Sequence, residues 1–375
     1  MVTILFLSLN QLASLTTTRL CAVSSKHRYP MATQIAIQMK GPGKAEVVRD
    51  TPMPRLRDDY IIVKTSAVAL NPTDWKQIDY LASPGAIVGC DYSGVVERVG
   101  PAVKHGPHVG DRVMGMVHGS NHSNHEDGAF AEHVAAKGDL QIKIPDYMTF
   151  EEAATLGAGV ITVGQSLYEC LELPLPDDPP MRPFPVLIYG GSTATGTLAI
   201  QFAKLSGLEV VTTCSPQNFH LVRSLGADYM YDYNLPSCAP SIRKITKNRL
   251  AHVFDTISTP ETAEICCYAI GSSGGKYTGL GGLAGIPRDD VANLHVMAYT
   301  AFGEAFDFGE ENIPANPKEY DFAVKFMGLT QGLLWQGRIR PHPQSIRAGG
   351  WNGILDGLQE MREGKVSGVK LVYPV

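Results

Sequence analysis

Val186-Leu187-Ile188-Tyr189 runs directly into Gly190-Gly191-Ser192-Thr193-Ala194-Thr195-Gly196, and a helical pattern follows over 195–205. Four consecutive apolar residues read as a buried strand. The glycines permit a tight turn, and the free N–H groups of the next helix can receive a pyrophosphate. Read as G-x-G-x-x-G from Gly191, the middle glycine is Thr193. An ordinary glycine-rich turn of an α/β sheet would look much the same. Context separates the two: a strand before, a helix after, and a second strand over 209–213. That strand ends at Thr213-Cys214-Ser215-Pro216-Gln217-Asn218. An NAD-specific site places Asp or Glu here, about 20 residues on, to bond the ribose 2′-hydroxyl. No acid stands in this stretch. Its small hydroxyl and amide donors can surround a 2′-phosphate without repelling it, which favours NADPH. Ser215-Pro216 also suits a helix cap, and the two readings are compatible.

Outward from this centre, strands and helices alternate. A helix over 218–225 ends at Gly226. A strand over 252–255, a helix over 261–270 ended by Gly271, and a strand over 275–278 follow. That rhythm predicts a parallel sheet with crossover helices. Upstream, the proline-dense stretch 174–185 reads as a linker. Before it, Thr149 with Glu152 three residues on forms a capping box, and helical character runs to 173. The region before Pro145 reads as all-β with short turns, with strands over 34–37, 60–70, 91–99 and from 112. A helix over 353–362 and a strand over 368–373 end the chain, and this tail is expected to pack back on the first domain.

At 375 residues, the chain has room for two domains of roughly 100–200 residues. Apolar residues make up 44% and charged residues 18%, which excludes disorder and collagen. The formal net charge of −5 supplies no basic footprint for duplex DNA. Seven cysteines occur without a CxxC pair, so reduced thiols in a cytoplasmic protein are expected. The apolar opening Met1 to Leu15 precedes Arg19, the first arginine. That is the wrong order for a secretory signal, and the run is too short for a membrane span. Residues 1–31 therefore read as an extension, with Met31 as the expected working start.

The chain resembles the medium-chain dehydrogenase/reductase superfamily. The resemblance rests on Asn71-Pro72-Thr73-Asp74-Trp75-Lys76, Gly89-Cys90-Asp91-Tyr92-Ser93-Gly94, Val109-Gly110-Asp111-Arg112-Val113 and Gly128-Ala129-Phe130-Ala131-Glu132, together with the 157–163 stretch, the glycine loop and Gly364 to Gly368. More narrowly, it resembles the trans-acting enoyl reductases of fungal polyketide synthases, the lovastatin type. Tyr189 to Thr195, Cys214-Ser215-Pro216 with Asn218-Phe219, and Phe302-Gly303-Glu304 carry that closer match. The resemblance implies an α/β fold: a GroES-like β-barrel catalytic domain with an inserted Rossmann dinucleotide-binding domain. The implied division is 32–180 for the first part of the catalytic domain, 181–310 for the Rossmann domain and 311–375 for the return.

The resemblance places NADPH at Thr73, Asp74, Trp75 and Lys76; at Gly191, Ser192, Thr193, Ala194 and Thr195; at Ser215, Pro216, Gln217 and Asn218; and at Tyr233, Leu280, Gly281, Ser367 and Gly368. It places the substrate channel along Val163, Gly164, Gln165, Ser166, Leu167, Tyr168, Glu169 and Cys170, and along Tyr299, Thr300, Ala301, Phe302 and Gly303. Read alone, 299–303 would pass for a strand or loop. Lys76 and Thr162 are the catalytic candidates. Lys76 follows what reads as a Pro-Thr-Asp turn, where one charge can reach into the cleft, although a loop lysine is more commonly a surface group. Thr162 is read at a helix start lining the nicotinamide. It could equally bond its own backbone.

Zinc-dependent relatives carry Cys near the Asn71 position and a His-Glu pair near Cys90-Asp91. A catalytic zinc wants three protein ligands, and only Cys90 is a soft candidate here. His118, His122 and His125 read as a solvated loop, so no metal is expected. What suits this scaffold is hydride addition to a conjugated double bond, with N–H or cationic groups near the thioester oxygen and a proton source. The implied activity is NADPH-dependent enoyl reduction in trans on a polyketide synthase, or a polyketide synthase–peptide synthetase hybrid, by a monomer or homodimer. A free-standing quinone or enone reductase and a non-catalytic NADPH-binding adaptor are the competing readings.

Overall fold

Residues 32–283 and 285–375 are described by a computed structural model; the expectations placed on residues 1–31 lie outside them. Strand β1 (Thr33–Gly41) turns at Gly43 into β2 (Lys44–Pro52). Then come β3 (Tyr60–Ala69), α1 (Pro72–Tyr80), β4 (Asp91–Val99), β5 (Arg112–Met116), β6 (His133–Lys137) and β7 (Ile142–Lys143). The β-branched run of β3 is buried over most of its length. One side of β3 pairs with β4. The other is shared end to end, with β6 taking Tyr60 to Lys64 and the last strand of the chain taking Ala67 to Ala69. The long central strand is thus left without an open edge.

Helix α1 corrects the reading of 72–74 as a turn. Asn71 is its N-cap, Pro72 occupies the first position, and the Asp74 carboxylate accepts the Asn71 N–H at 2.7 Å. Proline belongs at a helix start because its missing N–H is unpaired there anyway. The expected capping box opens α2 (Phe150–Ala153): Glu152 N–H donates to Thr149 Oγ1 at 3.2 Å and Thr149 N–H to the Glu152 carboxylate at 2.9 Å. Helix α3 (Gly157–Val163) follows and widens into a π-helical segment (Gly164–Cys170). Thr162 therefore sits near the end of α3 and not at a helix start.

Past the proline-rich linker lie β8 (Pro185–Tyr189), α4 (Ala194–Leu205), β9 (Glu209–Thr213), α5 (Phe219–Ser224), β10 (Tyr229–Tyr231), α6 (Cys238–Ile245), β11 (His252–Asp255), α7 (Pro260–Ala269), β12 (Gly275–Gly279) and β13 (Val291–His295). The order β10-β9-β8-β11-β12-β13 is parallel throughout. All five residues of β8 are buried, as its unbroken apolar run requires. Edge strand β13 is largely exposed, so it lacks the apolar signal that marks the others.

The chain returns through the hairpin β14 (Phe306–Phe308) and β15 (Glu311–Ile313), then α8 (Pro317–Trp335), β16 (Gln344–Ile346), α9 (Gly350–Arg362) and β17 (Lys370–Pro374). Strand β17 pairs antiparallel with β3 and completes the first sheet, as expected of the tail. Helix α8 carries no strong sequence signature because Gly328 and Gly332 interrupt it. Its Phe326 packs at ring-centroid distances of 5.1 Å from Phe202 and 5.3 Å from Tyr168, joining α8 to α4 and the π-helical segment. No helix among the described residues is long and apolar enough to cross a membrane. Truncating a buried aromatic costs about 3–5 kcal/mol. Phe326→Ala is expected to lower the urea midpoint by a corresponding amount with an unchanged denaturant slope, read by far-UV circular dichroism.

Candidate active site

The loop after β8 explains its own composition. A Cβ on Gly191 would lie 2.0 Å from Thr212 Oγ1, and one on Gly196 would lie 2.3 Å from the Gly190 carbonyl oxygen. Only glycine lets β8, β9 and α4 approach this closely. Thr193 needs no such freedom. It has extended backbone, caps α4 by accepting the Gly196 N–H at 2.9 Å, and meets Thr256 Oγ1 at 3.0 Å. That is why the middle glycine of the motif is dispensable. Ser192, Ala194 and Thr195 are half-buried around the N-terminus of α4.

The end of β9 gathers residues from distant parts of the chain. Ser215 Oγ lies 3.1 Å from the Tyr233 hydroxyl, and Asn218 Nδ2 reaches Ser367 Oγ at 3.5 Å. A Cβ on Gly368 would come within 2.8 Å of Asn218 Oδ1. Pro216 and Gln217 complete a short 3₁₀ turn. Leu280 N–H donates to Ser258 Oγ at 2.7 Å, with Gly281 alongside, just past β12. Glycine, hydroxyl and amide donors with no carboxylate over 215–218 form a donor set suited to a phosphorylated dinucleotide.

On the other side stands a buried polar cluster. Lys370 Nζ donates to Asp91 Oδ2 at 2.5 Å and to Asn71 Oδ1 at 2.9 Å, and Asn71 Nδ2 donates to Asp91 at 2.9 Å. The second Asp91 oxygen accepts the Ala158 N–H at 2.6 Å, at the start of α3. Sequence reasoning missed Lys370. A lone lysine within an otherwise apolar final strand was the available signal. Burial pushes the Asp74 carboxyl up to about 7, and nearby Asp91 adds to the shift against the lowering hydrogen bond from Asn71.

Tyr299 joins the expected cofactor and substrate segments. It lies in a 3₁₀ turn (Ala298–Phe302), which corrects the strand-or-loop reading. Its hydroxyl accepts from Gln77 Nε2 at 2.6 Å and lies 3.4 Å from Thr73 Oγ1 and 3.3 Å from Cys90 Sγ. Lys76 is exposed on α1, about one turn beyond Thr73, and has no ion-pair partner among the described residues. Its ammonium lies 5.9 Å from the centre of the Trp75 ring. Thr162 Oγ1 donates to the Ala158 carbonyl at 2.7 Å, leaving its lone pairs free.

The expected channel residues divide. Val163, Ser166, Leu167 and Ala301 are fully buried, and Tyr168 is spent on Ser206 and the Phe326 ring, so these form walls and core. Gly164 is a close-approach position, where a Cβ would meet the Phe326 ring at 2.6 Å, and Gly303 takes a left-handed turn. Gln165 Nε2 bridges Thr300 Oγ1 at 3.1 Å and Glu319 at 3.2 Å, while its Oε1 is buried without a partner. Glu169 and Cys170 are half-buried; burial, with Glu319 nearby, raises the Glu169 carboxyl to about 7. Phe302 faces the ring of His118.

The three loop histidines point to separate places. His118 stacks on Tyr299, His122 meets the Leu81 carbonyl, and His125 meets Ser83 Oγ. His118 is 7% exposed, which corrects its reading as part of a solvated loop. Among the described residues, no three His, Cys, Asp or Glu side chains gather as a metal site.

Two outcomes follow from the buried cluster. Lys370→Met strands the Asp91 charge and is expected to cost about 3–5 kcal/mol, read as a lowered unfolding midpoint. The Asp74 carboxyl titrates near 7 in the fold and near 3.9 unfolded. Its contribution to stability is therefore fully present below about pH 4 and is lost as pH rises through 7. The stability difference between wild type and Asp74→Asn should move in wild type's disfavour across that window and be flat above it.

Residues 57–146 match the alcohol dehydrogenase GroES-like domain, and residues 194–306 match the zinc-binding dehydrogenase domain. The chain is 48% identical over 346 residues to the trans-enoyl reductase ACTTS2 of Alternaria alternata, covering 92% of this chain and 100% of that one. It is 51% identical over 276 residues to the trans-enoyl reductase TOXD of Cochliobolus carbonum, covering 74% and 93%. Among solved structures, the fold resembles a putative zinc-dependent alcohol dehydrogenase from Rhizobium etli (TM-score 0.76, 22% identity, 92% and 99% coverage) and the CurK enoyl reductase (0.70, 18%, 92% and 99%). The chain belongs to the trans-enoyl reductases, within the medium-chain dehydrogenase/reductase superfamily.

Proposed function

We propose that this enzyme uses NADPH to reduce the α,β double bond of unsaturated polyketide thioesters carried by a polyketide synthase, or a synthase–peptide synthetase hybrid, acting in trans in the cytoplasm. The observation that carries the reading is the junction at Tyr299. Its hydroxyl is held by Gln77 at 2.6 Å and lies 3.4 Å from Thr73, so the segment expected at the nicotinamide abuts the segment expected along the acyl chain. The domain division 32–180, 181–310 and 311–375 belongs to the same proposal.

The nicotinamide cofactor, when bound, supplies a hydride equivalent to the β-carbon. The loop 191–195 and Ser215, Asn218, Tyr233, Ser367 and Gly368 would hold its phosphates and ribose. Lys76, free of any ion pair among the described residues, brings positive charge toward the thioester oxygen, where negative charge develops. The α-carbon must then gain a proton, and Lys76 is the assigned source. Thr162, its hydroxyl anchored on the Ala158 carbonyl at 2.7 Å, is assigned to the nicotinamide and substrate entrance. Glycine packing at α3 and the buried walls at 163–168 keep water from the reacting atoms.

Consumption of NADPH with crotonyl- or longer enoyl thioesters, CoA-linked and carrier-linked, tests the reading; no turnover of either form overturns it. Lys76→Ala is expected to lower kcat/KM by about a hundredfold or more. Ser215→Asp places a negative charge where the 2′-phosphate is assigned, and is expected to raise the KM for NADPH at least roughly tenfold while sparing NADH.

A further inference from the structure

Behind the Tyr299 ring lies a cavity of about 200 Å³, lined by Tyr60, His118, Asn121, Asp127, Phe302 and Glu304 as well as Tyr299 itself. Small-molecule sites run to about 300–1,000 Å³, so this one admits a fragment of a ligand. Most of its polar lining is already engaged. Asn121 Nδ2 donates to Asp127 at 3.1 Å, Asp127 accepts from Arg57 at 2.5 Å, and Glu304 accepts from Tyr60 at 2.9 Å and Lys137 at 2.6 Å.

His118 differs from these groups. It is 7% exposed, and neither ring nitrogen has a hydrogen-bond partner among the described residues. Its ring lies flat on Tyr299 at 3.8 Å, parallel to Phe302 at 6.5 Å, with Phe306 edge-on at 4.8 Å. Three aromatic contacts fix the orientation of the imidazole. Burial, with His122 nearby, pushes its pKa down to about 3. It is therefore neutral, with one N–H donor and one acceptor nitrogen on a ring that lines the cavity. An aliphatic chain end would leave the N–H without a partner, whereas a carbonyl oxygen accepts from it and a hydroxyl pairs with either nitrogen.

We infer that His118 hydrogen-bonds an oxygen substituent on the acyl chain, so that the cavity behind Tyr299 selects oxygenated intermediates over fully reduced ones. This rests on the enoyl reductase reading, since Tyr299 and Phe302 belong to its channel. The cavity then acts as a specificity site for the state of the chain beyond the double bond being reduced. A site built to hydrogen-bond an oxygen discriminates through the unpaired group left when that oxygen is missing.

The test compares two enoyl-CoA substrates of equal chain length, one all-carbon and one with a keto group near its distal end, in wild type, His118→Phe and His118→Gln. Phenylalanine keeps the stacking and removes both nitrogens; glutamine keeps a donor and an acceptor. The readout is the ratio of kcat/KM for keto over all-carbon substrate, which divides out any loss of folded enzyme. Wild type should favour the keto substrate. His118→Phe should lower the ratio roughly tenfold, and His118→Gln should retain more of it than His118→Phe. A ratio unchanged in His118→Phe, with wild type active on the all-carbon substrate, overturns the subsite and leaves the reductase standing. Failure of wild type to reduce either substrate overturns both.

Discussion

One ammonium group organises the first sheet and the helices that start beside it. Lys370 is 4% exposed and sits among Asp91, Asn71 and the Thr155 carbonyl. Its strand β17 comes from the chain's end, Asp91 opens β4, Asn71 caps α1, and Asp91 also holds the first turn of α3 through Ala158. A buried pair stabilises only when its remaining hydrogen-bonding capacity is met. Here both Asp91 oxygens and the ammonium have partners. The helices that carry Lys76 and Thr162 start from this cluster, so the tail that closes the sheet also anchors both helix starts.

The same tail reaches the cofactor side. Ser367 and Gly368, just before β17, meet Asn218 near the end of β9. A single terminal segment thus ties the first sheet to the parallel sheet at the end of β9. Glu304, from the signature Phe302-Gly303-Glu304, gives a second tie through Tyr60 and Lys137. It holds the Tyr299 turn against β3 and β6.

Much of this was legible in the sequence. The unbroken apolar run of β8, the glycines at 191 and 196, and the Thr149–Glu152 box follow local rules, and each took its expected form. Helix α1 was hidden because Asn71-Pro72-Thr73-Asp74 has turn chemistry, and the same residues serve as a helix cap. Helix α8 was hidden by its internal glycines. Within the π-helical segment, periodicity does not separate Leu167 and Tyr168, which pack in the core, from the half-buried Glu169.

By itself, the sequence determined the parallel sheet, the glycine turn after β8, the acid-free end of β9 and the family, because these depend on short-range patterns of glycine, cap and apolar residues. Only the tertiary structure decided that Lys370 pairs with Asp91, that Ser367 meets Asn218, and that His118 lies buried against Tyr299. Those partners are separated by 279, 149 and 181 positions. Burial and electrostatics at such distances depend on how the sheets and helices pack, which no local pattern encodes.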